Sequence, residues 1–185
     1  MAPNGAGTHP EELKQVERLV FAKIAPIAES FAEKHRLLIR KYYHDGSSWD
    51  MMFKKKTGGT GMIEILLTQP GISVLAPETL RHLSALPPRL EFTICATCWI
   101  DDYDTQMRSG RHEEVGKFLS GTDPQEKMIG LLELALKKTL SWNATDLTER
   151  SGPNQWKNTW KTNGEFEKAT SSVFIEGEMR PLPVM

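Results

Sequence analysis

The sequence predicts an α+β fold: an antiparallel sheet, built from a meander and one long central strand, with two long helices packed on one face. Three observations carry this expectation. Apolar residues near the start recur at steps of three and four. The pattern then switches to alternation over several short segments separated by tight turns. A second long helical pattern follows the longest alternating run.

The first helix is expected from Thr8 to about Lys34. Thr8 caps it, Pro10 suits an early helical position, and Glu11 stands three residues after the cap. Leu13, Val16, Val20, Ile24, Ile27 and Phe31 form one apolar stripe. Pro26 lies inside that stripe and removes a backbone donor, so a kink is expected there.

Period-two segments follow. "LLIRKYYHD" reads as a strand, "HDGSS" as a turn, and "WDMMFKKKT" as a second strand with Trp49, Met51 and Phe53 on one face. "TGGTG" turns the chain into "MIEILLTQ", with Ile63, Ile65 and Leu67 on one face. Turns this short join antiparallel neighbours. "ISVLA" reads as a short strand, and "APETLRHLSALPP" as a short helix ended by Pro87 and Pro88. "EFTICATCWIDDYD" (91–104) is the strongest strand. "RSGRHEE" then reads as an irregular connection.

"TDPQEKMIGLLELALKKTLSW" is the second long helix, with Asp123 as N-cap, Pro124 at N1 and Glu126 at N3. Its apolar residues cover more than a narrow stripe, so deep burial is expected. Residues 1–142 therefore read as a single α+β domain. Residues 143–185 read as an irregular extension packed on or wrapping it, with a hairpin turn at "TNGEF" and a strand at "SSVFIEGE".

Composition narrows the function. Of 185 residues, 39% are hydrophobic and 25% charged, as in globular rather than disordered chains. A net charge of −1 argues against nucleic acid as a partner, because phosphate recognition usually brings an excess of Lys and Arg. No apolar run is long enough to cross a bilayer, and the start "MAPNGAGTHPEELK" has no signal-peptide pattern, so a cytoplasmic location without membrane contact is expected.

The chemical motifs are few. Cys95 and Cys98 have C-x-x-C spacing, but within a strand they point to opposite faces, and neither a second such pair nor a close His pair is present. A redox or zinc role is set aside in favour of a strand with one side on the core, and no cofactor is expected. Asp102 and Asp104 project together beyond Ile100. Two such carboxylates suit a hard cation, so a metal-dependent enzyme or small-ligand binder built on them is the alternative reading, with Asp50, Glu64, His44, Glu113 and Glu114 as completing groups. "KKKTGGTG" lacks the phosphate-loop fingerprints and reads as a hairpin turn with a solvated basic end. His44 and His112 are candidate general bases, without a supporting spacing.

The mixed face of the sheet holds the leading candidates. Tyr42, Met52, Lys54, Lys56, Cys95, Thr97, Trp99 and Tyr103 share it if the strand phases hold. Aromatic and methionine side chains mark many partner surfaces, so Trp99, Tyr103, Tyr42 and Met52 are the expected partner-binding residues. The competing expectation is that the tail, with Trp156, Trp160, Phe166, Phe174 and Ile175, covers this face. The functional expectation is a small intracellular, non-catalytic protein-binding module, chaperone-like or immunity-like, with a protein partner.

Overall fold

A computed structural model describes residues 17–42, 48–68, 89–152 and 156–185. Six strands form one sheet in sequential order: β1 (Leu38–Tyr42), β2 (Ser48–Lys54), β3 (Thr60–Leu67), β4 (Glu91–Asp102), β5 (Met107–Leu119) and β6 (Glu149–Ser151). Every pairing is antiparallel. Two helices, α1 (Ala25–His35) and α2 (Gln125–Ser141), pack on one face. The fold is α+β with an antiparallel sheet, as its alternating and helical patterns require. The 72–76 strand, the 76–88 helix and the Thr8 helix start lie outside the described residues.

The core follows the period-two alternation. Trp49, Met51 and Phe53 from β2, Ile63 and Ile65 from β3, and Phe92, Ile94, Ala96 and Cys98 from β4 share one buried cluster. Phe21, Ile24, Ile27 and Phe31 close it from the first helical segment; Met128, Leu132, Ala135 and Leu136 close it from α2. Gly61 is required here, because the Phe53 ring lies across β3 where a Cβ at position 61 would be. Gly59, with φ +90°, makes the β2–β3 turn that sequence had placed at "TGGTG".

Several local expectations are corrected. Pro26 does not kink a continuous helix. A π-helical turn, Glu17–Phe21, is followed by a separate helix with Pro26 in its first turn, where the missing N–H has no intrahelical partner to lose. Helix α2 is less buried than expected, with Leu134 and Leu140 exposed at 43% and 40%. Its N-cap is Pro124 rather than Asp123. The Asp123 carboxylate instead accepts from the Leu119 amide (2.7 Å) and from Lys127 (3.0 Å), closing the turn out of β5, and these bonds hold it below the usual carboxylate range.

"RSGRHEE" is not a connection but the first half of β5, paired residue by residue with β4. One bulge, between the Ile94–Gly116 and Cys95–Glu114 pairs, leaves Val115 as the extra residue and resets which side chains face the helices.

The tail is structured rather than irregular. It holds α3 (Trp156–Thr159), α4 (Asn163–Thr170) and a hairpin of β7 (Ser172–Ile175) and β8 (Glu178–Pro181). "TNGEF" is the start of α4, not a hairpin turn. The Thr162 hydroxyl accepts from the Glu165 amide (3.1 Å), and the Glu165 carboxylate accepts from the Lys161 amide (2.9 Å). Beyond β8 the chain lies beside the end of β2. The Lys54 amide donates to the Pro183 carbonyl (2.7 Å) and the Met185 amide to the Lys54 carbonyl (2.8 Å). Among the described residues no helix is long and apolar enough to cross a membrane.

Candidate functional site

The sheet face opposite the helices is divided by the tail. Over one half, Val173 of β7 and Leu182 pack on Met52 and Met62, with Leu38, Trp99 and Ile175 at the margin. Met52 is 3% exposed, so this expected partner-binding residue is covered by the chain itself. The physical reason is the one the sequence offered as the competing expectation: the tail aromatics and aliphatics need an apolar surface, and this face supplies it. Tyr103 is also taken up, its ring packed at a tilt against Phe166 with centroids 5.3 Å apart and its hydroxyl donating to the Trp160 carbonyl (3.0 Å). Tyr42 stays exposed, on a separate groove of about 520 Å3 between β1 and the tip of β7. Trp99 stands at the boundary, partly in the apolar margin and partly in the open half.

The open half carries polar chemistry that strand register assembles. Arg40 on β1 faces Asp50 on β2, Asp50 faces Glu64 on β3, and Thr97 on β4 faces His112 on β5. The Asp50 carboxylate is nearly buried and accepts from Arg40 Nε (3.3 Å) and Nη2 (2.9 Å), both through Oδ2. Its Oδ1 is buried and finds no partner among the described residues. The Thr97 hydroxyl donates to Glu64 Oε2 (2.7 Å) and lies 2.8 Å from His112 Nδ1, which is itself 3.3 Å from Glu64 Oε2.

Thr97 has one proton. With that proton on Glu64, the His112 Nδ1 must be the donor to the Thr97 oxygen, as this hydrogen-bond network assigns it. A nucleophilic relay needs the order hydroxyl, imidazole, carboxylate. Here the hydroxyl is directed at the carboxylate and His112 Nδ1 lies within reach of both, so the three close on one another as a polar clip across β3, β4 and β5. Burial pushes the Glu64 carboxyl above its usual range, with Asp50 repulsion adding to this. The Thr97 bond, His112 and Arg40 oppose it.

That direction fixes a pH dependence. A carboxyl raised in the folded state contributes stability that is fully present below its unfolded value and is lost as pH rises through the folded value. Glu64→Gln keeps an oxygen acceptor for Thr97 and removes the desolvated charge. We expect the variant to melt higher than the parent at about pH 8, with the difference closing toward about pH 3, below the ordinary glutamate range, where Glu64 is protonated in both states. A Glu64→Gln protein that melts lower than the parent at neutral pH contradicts this.

Of the expected metal pair, the Asp102 side chain is engaged in the turn that follows β4. Asp102 Oδ1 accepts from the Asp104 amide (2.9 Å) and the Thr105 amide (3.0 Å), closing the β4–β5 turn. Among the described residues no cluster of three or more His, Cys, Asp or Glu side chains is placed to hold a metal ion. Asp50 and Glu64 sit along the sheet rather than beside Asp102, Glu113 turns to Arg111 and Lys138, and His44 lies outside the described residues.

The thiols are both free and buried. Cys98 lies in the core and Cys95 on the opposite face, as alternation requires. Burial, Glu64 and Glu114 push the Cys95 thiol up to about 11, away from thiolate chemistry. Cys95 is thus a shielded residue of the mixed face, not an accessible one. Lys55, expected in a solvated basic end, is buried. Its ammonium donates to the Trp142 carbonyl at the end of α2 and approaches Cys98 Sγ at 3.8 Å.

What sequence reasoning missed is the cavity beside Trp99. It has a volume of about 530 Å3 and is walled by Arg40, Met62, Thr97, Trp99, Arg108, Gly110 and His112, with Glu149, Arg150 and Ser151 from β6. The Arg108 guanidinium lies over the Trp99 ring at 5.1 Å and pairs with Asp101 through Nε–Oδ1 (2.6 Å) and Nη2–Oδ2 (3.0 Å). Trp99 and the outward phase of β4 were legible. The arginines were not, because they lie in the segment read as a connection. No family model, curated protein or solved structure matches the chain.

Proposed function

We propose that this protein works by binding a protein partner rather than by catalysis, and that the partner contacts the open half of the sheet face around Trp99. The observation that carries this reading is Trp99 itself: a large aromatic at the wall of a cavity of about 530 Å3, held from above by the Arg108 guanidinium. Tryptophan and arginine are the residue types most enriched among interface hot spots, and a concave wall with a few convergent polar groups is the usual setting for recognition. The polar groups nearest it, Glu64, Thr97 and His112, are spent on one another, which favours a binding surface over a catalytic one.

The test is capture from native lysate on immobilised parent, Trp99→Ala and Phe174→Ala proteins, with the melting temperature of each. Phe174 is 62% exposed on the β7–β8 hairpin, outside the wall of the Trp99 cavity, and serves as the apolar control. Trp99→Ala is expected to lose partners that Phe174→Ala retains, by about thirtyfold in affinity, while still melting cooperatively. Captured proteins indifferent to Trp99→Ala would end the reading.

A further inference from the structure

We infer that the partner segment accepted beside Trp99 is acidic: an extended peptide stretch that presents a carboxylate side chain to the guanidinium groups of Arg40 and Arg108. This rests on the reading of that face as the partner site. Three cationic or potentially cationic side chains that belong to the open face wall the cavity, namely Arg40, Arg108 and His112, against the single carboxylate of Glu149. Arg111 and Arg150 also border it, but from the helix side: the Arg111 guanidinium lies over the Trp142 ring and beside Glu113, and Arg150 faces Ser109 and donates to its hydroxyl.

The charges of Arg40 and Arg108 are balanced, but not at the surface a ligand meets. Asp50 and Asp101 are only 3% and 7% exposed, whereas the arginines that cover them are 32% and 44% exposed. The carboxylates lie beneath and the guanidinium groups above, so an approaching group meets N–H donors before it meets oxygen. Both pairs also engage the same edge of the guanidinium. Asp50 and Asp101 take Nε and Nη2, and in each arginine Nη1, with two N–H groups, is outside the pair. A guanidinium fixed on one edge is pre-organised for a second carboxylate on the other, because the ordering cost of the long side chain has already been met.

Trp99 beneath Arg108 adds an apolar wall for the stem of the ligand side chain or its neighbour. A single-stranded nucleic acid also uses arginine and aromatic groups, but it needs a row of stacking platforms and a basic track. The cavity has one indole, and the chain has a net charge of −1.

The experiment is selection of a random dodecapeptide library on the immobilised full chain. Recovered peptides are then measured by fluorescence anisotropy against the parent, Trp99→Ala, Arg108→Gln and Arg108→Lys, with a labelled oligothymidylate in parallel. Asp and Glu are expected to be over-represented in the recovered peptides. Affinity should fall about tenfold in Arg108→Gln, fall measurably in Arg108→Lys, and weaken as salt is raised. Arg108→Lys keeps a cation over Asp101 while removing the second guanidinium edge, so it keeps the test decisive if Arg108→Gln, which strands Asp101, fails to fold.

Peptides that need Trp99 yet show no acidic excess overturn this inference and leave the binding face standing. Peptides indifferent to Trp99→Ala, or the recovery of none, overturn both. Tighter binding of the oligothymidylate than of any recovered peptide, lost in Trp99→Ala, replaces the acidic peptide with a nucleic acid.

Discussion

Trp49→Ala should cost about 3–5 kcal/mol of stability, the range for truncating a buried aromatic. Trp49 is fully buried, stacked on Phe21 with ring centroids 5.3 Å apart and planes 10° from parallel. The Lys41 ammonium lies 4.6 Å from its ring centroid on the neighbouring strand. The hole left by alanine has no easy route to closure. Position 49 is pinned between Lys41 of β1 and Ile65 of β3, and collapse would have to break one of those pairings. Phe21 would also lose its stack, and with it the anchor of the π-helical turn. Trp49→Phe retains a ring and should cost clearly less. Urea melts of the three proteins measure the difference, and a loss below about 1 kcal/mol for Trp49→Ala would show that the first helical segment does not seal the core as described.

Ending the chain after Pro181 should cost roughly 3–6 kcal/mol, from one buried leucine and several backbone hydrogen bonds. Leu182 is 6% exposed against Met52 and Met62, and its amide donates to the Ser171 carbonyl (2.8 Å). Lys54 and Lys56 at the end of β2 each donate an amide to this segment, to Pro183 (2.7 Å) and Met185 (2.6 Å), and Lys54 accepts from the Met185 amide (2.8 Å). The shortened chain should melt lower, and the Lys54 and Lys56 amides should lose protection from hydrogen exchange, ahead of the β3–β4 centre. Unchanged protection at Lys54 and Lys56 would mean that the terminal residues are not the cover of this half of the sheet. The same truncation bares Met52 and Met62, so it also reports how far the two halves of the face depend on each other.

The sheet was readable where one side of a strand meets a core. From Phe92 to Cys98 alternate residues are apolar, and Phe92, Ile94, Ala96 and Cys98 all enter the helix-side core because a strand's side chains must point to opposite faces; Thr93 and Cys95 are buried on the other face. The first half of β5 was not readable for the converse reason. Arg108, Arg111, His112, Glu113 and Glu114 carry no apolar face to alternate; their strand is held by the ladder with β4, and its side chains are satisfied by Asp101, Trp142, Thr97 and Lys138. The start of α4 did leave a signal, Thr162-x-x-Glu165, but the Asn163–Gly164 pair inside it was read as a hairpin turn. Local capping chemistry outweighed the turn preference.

Sequence by itself determined the class of fold, the two helices on one face, the strand phases and the separation of Cys95 from Cys98. Each of these follows from periodicities of the backbone, which act over a few residues. Tertiary structure alone decided which residues meet across strands. Glu64, Thr97 and His112 come from three strands, and register, with the bulge at Val115, sets them side by side. The division of the mixed face was also a tertiary outcome. Its sheet residues are the same whether covered or bare, and the tail took the apolar half, with Met52 and Met62, because burial there removes apolar surface from water. The half bearing Arg40, Arg108 and His112 remains accessible among the described residues, since covering it would strand polar groups without water.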